Sequence, residues 1–216
     1  MPGEARAKGS VESSLAEGKD AVATRALAEP AAMRRLLEAL SGPGRTERAR
    51  AAEALHEVAC REPQALKPYA SELIDALERP EVQTRWEVLG GLEELARVDA
   101  RLLDKAIAPA TVSLHDAESG VVRVAAFRML AAYGSTTARR AERIWPLLDE
   151  ALRAYHGDPE YPGMLAGVVT LVEGAAPEAV RADAARTVEP ETTHPRAAIS
   201  RQAKRIVARG PKNPGA

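Results

Sequence analysis

The sequence predicts an all-α fold built from repeated pairs of helices. Aromatic residues make up only 3% of the 216 residues, whereas alanine supplies about a fifth of the chain. Alanine favours helices, while β-sandwiches and barrels draw on β-branched and aromatic residues. Hydrophobic residues at 45% and charged residues at 28% match a folded domain rather than a disordered chain. Composition therefore argues against an all-β fold, and the spacing of the helices predicts the architecture.

An arginine-led pattern recurs along the middle of the chain. Each copy has an arginine, a small or aliphatic residue three positions later, and a leucine seven positions later. The copies are Arg48/Ala51/Leu55, Arg85/Val88/Leu92 and Arg123/Ala126/Leu130. The arginines are 37 and 38 residues apart. Positions i, i+3 and i+7 share one face of an α-helix, so each copy predicts an amphipathic helix, which we call an A helix.

Amphipathic segments of a similar period lie between the A helices and predict a second set, the B helices. They span residues 64–78, 101–116 and 139–155. Each carries a proline, at Pro68, Pro109 and Pro146, with spacings of 41 and 37 residues. Proline fits the first turn of a helix and bends the axis further in. Each repeat is therefore an A helix, a short turn and a B helix, and stacking such units buries one continuous core.

The arginine-led helices, their paired partners and their period resemble the HEAT-repeat family of armadillo-type α-solenoids, in its short bacterial form. The resemblance covers about residues 20–209, and it implies a superhelix of stacked antiparallel helix pairs. We expect a disordered N-terminal arm at 1–18, a repeat domain at 19–209 and a flexible basic tail at 210–216. Within the repeat domain we expect helix pairs near 21–40, 46–78, 82–116, 120–155 and 161–188, and a last helix at 195–209.

Charge, cysteine content and hydropathy bear on the compartment. Thirty basic and thirty-one acidic residues give a net charge of −1, so no whole-chain field attracts nucleic acid or an anionic membrane. Cys60 is the only cysteine, which excludes intrachain disulfides and a thiolate zinc cluster. No segment has the ~18 consecutive apolar residues of a membrane span, and the first twenty residues lack the apolar core of a signal sequence. We expect a cytoplasmic protein without a membrane partner.

The sequence contains no recognised catalytic motif, so we expect no enzymatic activity and no cofactor. A Gly-rich phosphate loop and a G-x-S-x-G elbow are both missing. His56-Glu57 is the only His-Glu dyad. Deoxyhypusine hydroxylase, an enzyme with HEAT-type repeats, holds a di-iron centre between several such dyads, and a single dyad does not supply that ligand set. We therefore expect no metal, with His56 on the flank of an A helix.

Two tryptophans raise the alternative of nucleic-acid binding. Trp86 lies on a predicted A helix and Trp145 on a predicted B helix. Some HEAT-like bacterial proteins are alkylpurine DNA glycosylases, which cradle a damaged duplex with aromatic residues and a cationic face. The different layers of the two tryptophans and the balanced charge weaken this repair-related alternative. We expect both indoles to pack in the core, because an indole buries a large area.

Charged side chains on the predicted B helices are candidate partner contacts, because B helices line the concave surface of HEAT-like solenoids. The candidates are Lys67, Asp75, Lys105, Arg139, Arg140, Arg143 and Arg153. Solvated helix faces have the same composition. The resemblance implies a non-catalytic scaffold or adaptor that binds a partner protein or peptide on this surface. An accessory role like that of the HEAT-like lyases, which attach bilin chromophores, is a further alternative.

The end of the chain separates acidic from basic residues. Nine acidic residues occur between residues 149 and 191, whereas residues 195–214 contain six basic residues and no acid. The candidate basic patch consists of Arg196, Arg201, Lys204, Arg205 and Arg209. This patch either meets phosphate or an acidic partner, or it packs against the acidic helix pair predicted at 161–188, or its cations simply offset the dipole at the end of their own helix.

Overall fold

The computed structural model describes residues 18–211, and within this range the chain forms helices and no strand. The prediction of an all-α fold is confirmed. The α-helices are α1 (Lys19–Ala28), α2 (Pro30–Ser41), α3 (Arg45–Arg61), α4 (Ala70–Asp75), α5 (Val82–Asp99), α6 (Ile107–Leu114), α7 (Gly120–Gly134), α8 (Ala138–Ala154), α9 (Tyr161–Glu173), α10 (Glu178–Val188) and α11 (Ala197–Val207). Short 3-10 helices occupy Pro63–Tyr69, Ala76–Glu78, Ala100–Ala106 and Glu189–Thr193.

The arm predicted for residues 1–18 and the tail predicted for 210–216 lie outside the described residues, apart from Gly18, Gly210 and Pro211. Across the described range, none of the helices is long and apolar enough to cross a membrane.

The chain divides into two compact units, Met1–Pro109 and Ala110–Ala216. In the first unit α1 packs on α3 and α3 packs on α5, which makes a layer of A helices. The 3-10 helices and α4 form the B layer against α5. In the second unit α7 packs on α9 and α9 packs on α11, while α8 contacts both α7 and α10. Each unit is therefore a two-layered stack of helix pairs.

The predicted apolar face of the A helices forms the core of each unit. Leu55 and Leu92 are buried in the first unit, and Leu130 is buried in the second. The alanines at the middle position, Ala51 and Ala126, are also completely buried. Small side chains at these positions let neighbouring helices approach closely. The heptad-like spacing read from the sequence therefore locates the core correctly.

The arginine of the pattern joins successive A helices. In the first unit the buried Arg48 donates from Nε to Glu81 Oε2 at 3.2 Å, and its Nη2 pairs with Glu81 Oε1. Its Nη1 donates to the carbonyl of Gly42 at 2.7 Å. Glu81 is the residue just before α5, and the hydrogen bonds from Arg48 hold the pKa of its carboxyl below the usual range. One guanidinium thus links the start of α3 to the start of α5.

The second unit repeats this arrangement with different atoms. Arg123 donates to the carbonyl of Asp116 before α7 and to Asp158 Oδ2 before α9, both at 2.9 Å. Its guanidinium also lies 4.5 Å from the ring centroid of Tyr155, a cation–π distance.

The prolines divide the B segments differently from the sequence prediction. Pro30 opens α2, a position that proline tolerates because the first N–H groups of a helix have no intrahelical partner. The segment predicted as one helix over 64–78 instead begins as a 3-10 helix containing Pro68, continues as α4 and ends in a second 3-10 turn. Pro68 has no N–H to donate and its ring crowds the preceding turn, which accounts for the tighter geometry. Pro146 lies inside α8, which is α-helical throughout.

Leu92→Ala tests the shared register of the A helices. Leu92 is completely buried on α5, so the substitution should lower the free energy of unfolding by about 2–5 kcal/mol. Chemical denaturation followed by circular dichroism measures this change. Val112→Ala is the control, because Val112 is 75% exposed and should change stability by less than about 0.5 kcal/mol. Equal effects of the two substitutions would contradict the register.

Glu81→Gln tests the ionic link between α3 and α5. At neutral pH the variant should be less stable by about 1.5–3 kcal/mol, because a charged hydrogen bond is replaced by a neutral one. The folded-state pKa of Glu81 is lowered, so its contribution is present above the unfolded-state pKa and is lost as pH falls through the folded one. Denaturation curves should therefore show the difference shrinking below about pH 4.

The control for this measurement is Glu38→Gln, which alters an exposed glutamate on α2. It should leave the free energy of unfolding almost unchanged both at neutral pH and below about pH 4. A Glu81→Gln deficit that stays constant into the acid range would show that the carboxylate charge is not responsible.

Candidate functional site

A groove in the first unit brings three of the sequence-predicted contact residues together. Lys67, Asp75 and Lys105 all line it, and its volume is about 680 Å³. One wall is the segment that begins with the 3-10 helix Pro63–Tyr69 and continues into α4, and the other is the 3-10 helix Ala100–Ala106. We call this site the B-helix groove. Its complete lining is Lys67, Pro68, Ala70, Ser71, Ile74, Asp75, Arg101, Leu102, Asp104 and Lys105.

Asp99 ties two of the cations of the groove in place. The Nζ atom of Lys67 lies 3.0 Å from Asp99 Oδ2. Arg101 donates from Nε to Oδ1 at 3.0 Å and from Nη2 to Oδ2 at 3.2 Å. Hydrogen bonds from Arg101 and then from Lys67 hold the pKa of the Asp99 carboxyl well below its usual range. Asp99 therefore stays ionised and joins the two walls by bridging their cations.

Asp75 and Lys105 differ from these tied residues. Both side chains are exposed, and neither has an ion pair or side-chain hydrogen bond within residues 18–211. Asp75 ends α4 on one wall, and Lys105 lies on the other wall. Pro68, Ile74 and Leu102 also line the groove and supply apolar side chains. The groove thus combines apolar side chains with one free charge of each sign, which suits an amphipathic segment.

The remaining B-helix candidates lie on α8 in the second unit. Arg139 and Arg143 are exposed, one turn apart, and without a polar partner among the described residues. Arg140 instead donates to Thr136 Oγ1 at 3.2 Å and stacks 4.8 Å from the ring centroid of Tyr133. Arg153 donates to Asp149 from Nε at 3.0 Å and from Nη2 at 3.1 Å. Two of these four arginines are therefore free and two are held by neighbours.

The cations of the candidate basic patch also include both paired and free residues. Arg205 forms a two-point pair with Glu173 at 2.8 and 2.6 Å, and Arg209 donates to the same carboxylate at 3.3 Å. The hydrogen bonds from Arg205 are the main reason that the pKa of Glu173 is lowered. Arg196, Arg201 and Lys204 are exposed and have no side-chain partner in the described range. The patch therefore both packs on the helix pair that contains Glu173 and presents free cations.

His56 lies on the flank of α3 and contacts the next A helix. Its Nδ1 is 2.6 Å from Glu87 Oε2 on α5. Gly90 makes room for the ring, because a Cβ at that position would come within 2.4 Å of His56 Cε1. His156 has a comparable contact in the second unit, with Nε2 2.7 Å from Glu191 Oε1. Both histidines therefore serve as polar contacts between segments of one unit.

The two tryptophans have different environments. Trp145 is buried, as predicted, and its Nε1 donates to Asp183 Oδ2 at 2.7 Å. The prediction of core packing is wrong for Trp86, which is 37% exposed. Trp86 follows Arg85 directly and is therefore rotated about 100° from the buried stripe of α5. Its position on the helix could have indicated this exposure, whereas its large apolar area suggested the opposite.

Trp86 lines a second depression in the first unit, between the N-terminal turns of α3 and α5. Its volume is about 470 Å³, and we call it the Trp86 hollow. The lining consists of Arg45, Thr46, Ala49, Glu81, Val82, Gln83 and Trp86. It shares no residue with the B-helix groove, and sequence reasoning did not identify it.

Comparison with solved structures identifies the fold. A designed armadillo repeat protein, YIII(Dq)4CqI, matches with a TM-score of 0.73 over 97% of this chain and 95% of its own, at 15% identity. Another, YIII(Dq.V1)4CPAF in complex with peptide (KR)4, matches with a TM-score of 0.75, the same coverage and 15% identity. The archaeal HEAT-like repeats protein from Thermococcus onnurineus NA1 gives 0.64 over 96% of this chain and 82% of its own, at 15% identity.

The chain has the armadillo/HEAT-type repeat fold. This confirms the solenoid class that the repeat period predicts. No family model and no curated protein matches the sequence, so the likeness concerns the fold. Within an armadillo/HEAT-type fold the A and B layers present different surfaces, and here the first unit has one depression on each layer.

Proposed function

We propose that the chain is a non-catalytic scaffold or adaptor that binds a partner protein or an extended peptide through its B-helix surface. The observation that carries this proposal is the B-helix groove, whose lining combines free Asp75, free Lys105 and the apolar side chains of Pro68, Ile74 and Leu102. Specific interfaces combine a desolvated apolar centre with polar groups at the rim. A segment with an apolar side chain between two opposite charges satisfies all three features of the groove.

The ion pairs within the B-helix groove support a binding role. Asp99 already holds Lys67 and Arg101 in one arrangement, so their side chains lose little freedom when a partner lies on them. Binding that requires less ordering retains more of its contact energy. Asp75 and Lys105, which have no partner within the described chain, are then the residues that pair with the incoming charges.

On the second unit, Arg139 and Arg143 are the corresponding free charges of the B layer. They lie four residues apart on α8, a spacing that places them on the same side of the helix. An acidic stretch of a partner is the complement of this pair. Arg140 and Arg153 support the surface through their own neighbours, because their charges are already matched.

A likeness to a peptide complex supports the same proposal. The designed armadillo repeat protein YIII(Dq.V1)4CPAF is described in complex with peptide (KR)4. We infer that the present chain also uses its stacked helix pairs to hold an extended segment. Its groove contains charges of both signs rather than of one, so we expect a partner segment of mixed charge.

Charge reversal of the free residues tests the proposed scaffold function. The tagged full-length chain is used to capture proteins from its native host, and captured proteins are quantified by mass spectrometry. The double variant Asp75→Lys/Lys105→Glu should reduce capture of the specific partner by about tenfold or more, because two rim contacts become repulsive. Arg139→Glu/Arg143→Glu, measured separately, should reduce capture of proteins that bind the second unit through an acidic stretch, because two free cations become acidic.

The matched control is Arg50→Glu, which reverses an exposed, unpaired charge on the A helix α3. It should leave capture unchanged. All variants should unfold at the wild-type temperature, since the altered side chains have no internal partners. A partner that is captured equally by the groove variant and the wild type contradicts the proposed surface.

A second candidate function is nucleic-acid binding by the C-terminal helix α11. The observation that favours it is the set of free cations on or beside this helix, Arg196, Arg201 and Lys204. Three free cations in one exposed segment can contact phosphates. The neutral balance of the whole chain means that such binding would be local and weak.

Salt dependence of binding to a short DNA duplex tests this second function. Three phosphate contacts predict that the logarithm of the binding constant falls with the logarithm of the salt concentration with a slope of about −2.7. Fluorescence anisotropy measures the slope. Arg201→Glu/Lys204→Glu should abolish the binding and Arg50→Glu should preserve it. If the double variant keeps both the affinity and the salt slope of the wild type, this function is ruled out. Absence of binding of the wild type at low salt rules it out as well.

A further inference from the structure

We propose that the Trp86 hollow is a second binding site, which takes a partner segment carrying an acidic side chain next to an aliphatic or aromatic one. The site goes beyond the B-helix groove, because it lies on the A helices and uses none of the same residues. Its chemistry follows from one apolar wall and one exposed positive charge.

The apolar wall is formed by two exposed side chains of α5. Trp86 is 37% exposed and Val82 is 38% exposed, and the two lie four residues apart, which places them on one side of the helix. Ala49 of α3 completes the apolar part of the hollow. An exposed indole in a depression is the residue type that most often anchors a protein interface. A volume of about 470 Å³ accommodates a large apolar side chain.

The positive charge of the hollow is Arg45, the first residue of α3. It is exposed, and its side chain forms no hydrogen bond or salt bridge within the described residues. The carboxylate that also lines the hollow, Glu81, attracts Arg45 through space but directs its hydrogen bonds to Arg48. Glu47, on the same helix as Arg45, does not line the hollow. An incoming carboxylate therefore meets an exposed guanidinium whose donors are not engaged in a salt bridge.

Charge complementarity also selects the class of partner. Arg45 is the only cation among the residues that line the hollow, and one cation is too few to hold a nucleic-acid backbone. A lysine or arginine of a partner would be repelled by Arg45. The polar rim of Thr46 and Gln83 can hydrogen-bond the backbone of a peptide. An acidic–apolar peptide segment thus matches each group of the hollow.

Nuclear magnetic resonance of the full chain tests this assignment through the indole N–H signals. The chain has two tryptophans, and Trp86→Phe identifies which indole signal belongs to Trp86. The probes are the capped peptide Ser-Asp-Leu-Phe-Ser and two versions in which Asn or Lys replaces Asp. The Asp peptide should move the Trp86 signal with a dissociation constant in the millimolar range and bind about two- to fivefold more tightly than the Asn peptide. The Lys peptide should bind most weakly.

Variants separate the apolar from the ionic contribution. Val82→Ala should weaken all three peptides, because it removes part of the apolar wall. Arg45→Gln should abolish the preference for Asp over Asn, whereas the control Arg50→Gln on the same helix should retain it. The groove variant Asp75→Lys/Lys105→Glu should leave the response of the Trp86 signal to the peptides unchanged. The proposals for the two sites are therefore tested independently.

Several outcomes would overturn the proposal. The proposal is wrong if the Trp86 signal does not move with any of the three peptides at about 10 mM, or if the Lys peptide binds as tightly as the Asp peptide. It is also wrong if Arg45→Gln retains the full preference for Asp. A shift of the signal with protein concentration alone would assign the hollow to a second copy of the chain, and a shift with a DNA oligonucleotide but with no peptide would assign it to nucleic acid.

Discussion

In both compact units an arginine of one A helix holds the loop that starts the next A helix. Arg48 reaches Glu81 before α5, and Arg123 reaches Asp158 before α9. Removing two charges from water costs much of what their attraction returns, so such a pair contributes more to register than to stability. It fixes which turn of one helix faces the next. The burial of Leu55 and Leu92 depends on that register, and so does the wall that Glu81 contributes to the Trp86 hollow.

The sequence was sufficient to predict the fold because the period and the helical face are both local properties. The triple led by Arg48 recurs at almost constant spacing, and its apolar positions are buried where they are predicted. The partner of each arginine was not predictable in the same way. Glu81 and Asp158 lie 33 and 35 residues beyond their arginines, and many other acids occur at similar distances along the chain. Only packing of the helices determines which acid is reached.

The same limitation explains what could be predicted of the candidate site. The cationic candidates on the B layer look alike in sequence, yet Lys67 is tied by Asp99 whereas Lys105 is free. In the basic end, Arg205 is held by Glu173 whereas Arg201 is not. Helix periodicity predicts which side chains face solvent, but the acids that pair with Lys67 and Arg205 come from other helices. Trp86 was misassigned for a different reason, since residue type was given more weight than its position outside the buried stripe.

Internal ion pairs also decide where a partner can bind. A charge that is matched within the chain must lose its neighbour before it can serve a partner, and exposed pairs return little for that exchange. The first unit matches most of the charges around its two depressions, through Asp99 in the groove and Arg48 beside the hollow. Three exposed charges in these depressions form no salt bridge within the described residues: Asp75 and Lys105 on the B layer and Arg45 on the A layer. These ion pairs hold the walls in place, so a partner gains its contacts without having to order the site. The selectivity of each surface then follows from the signs of the exposed charges that have no salt bridge.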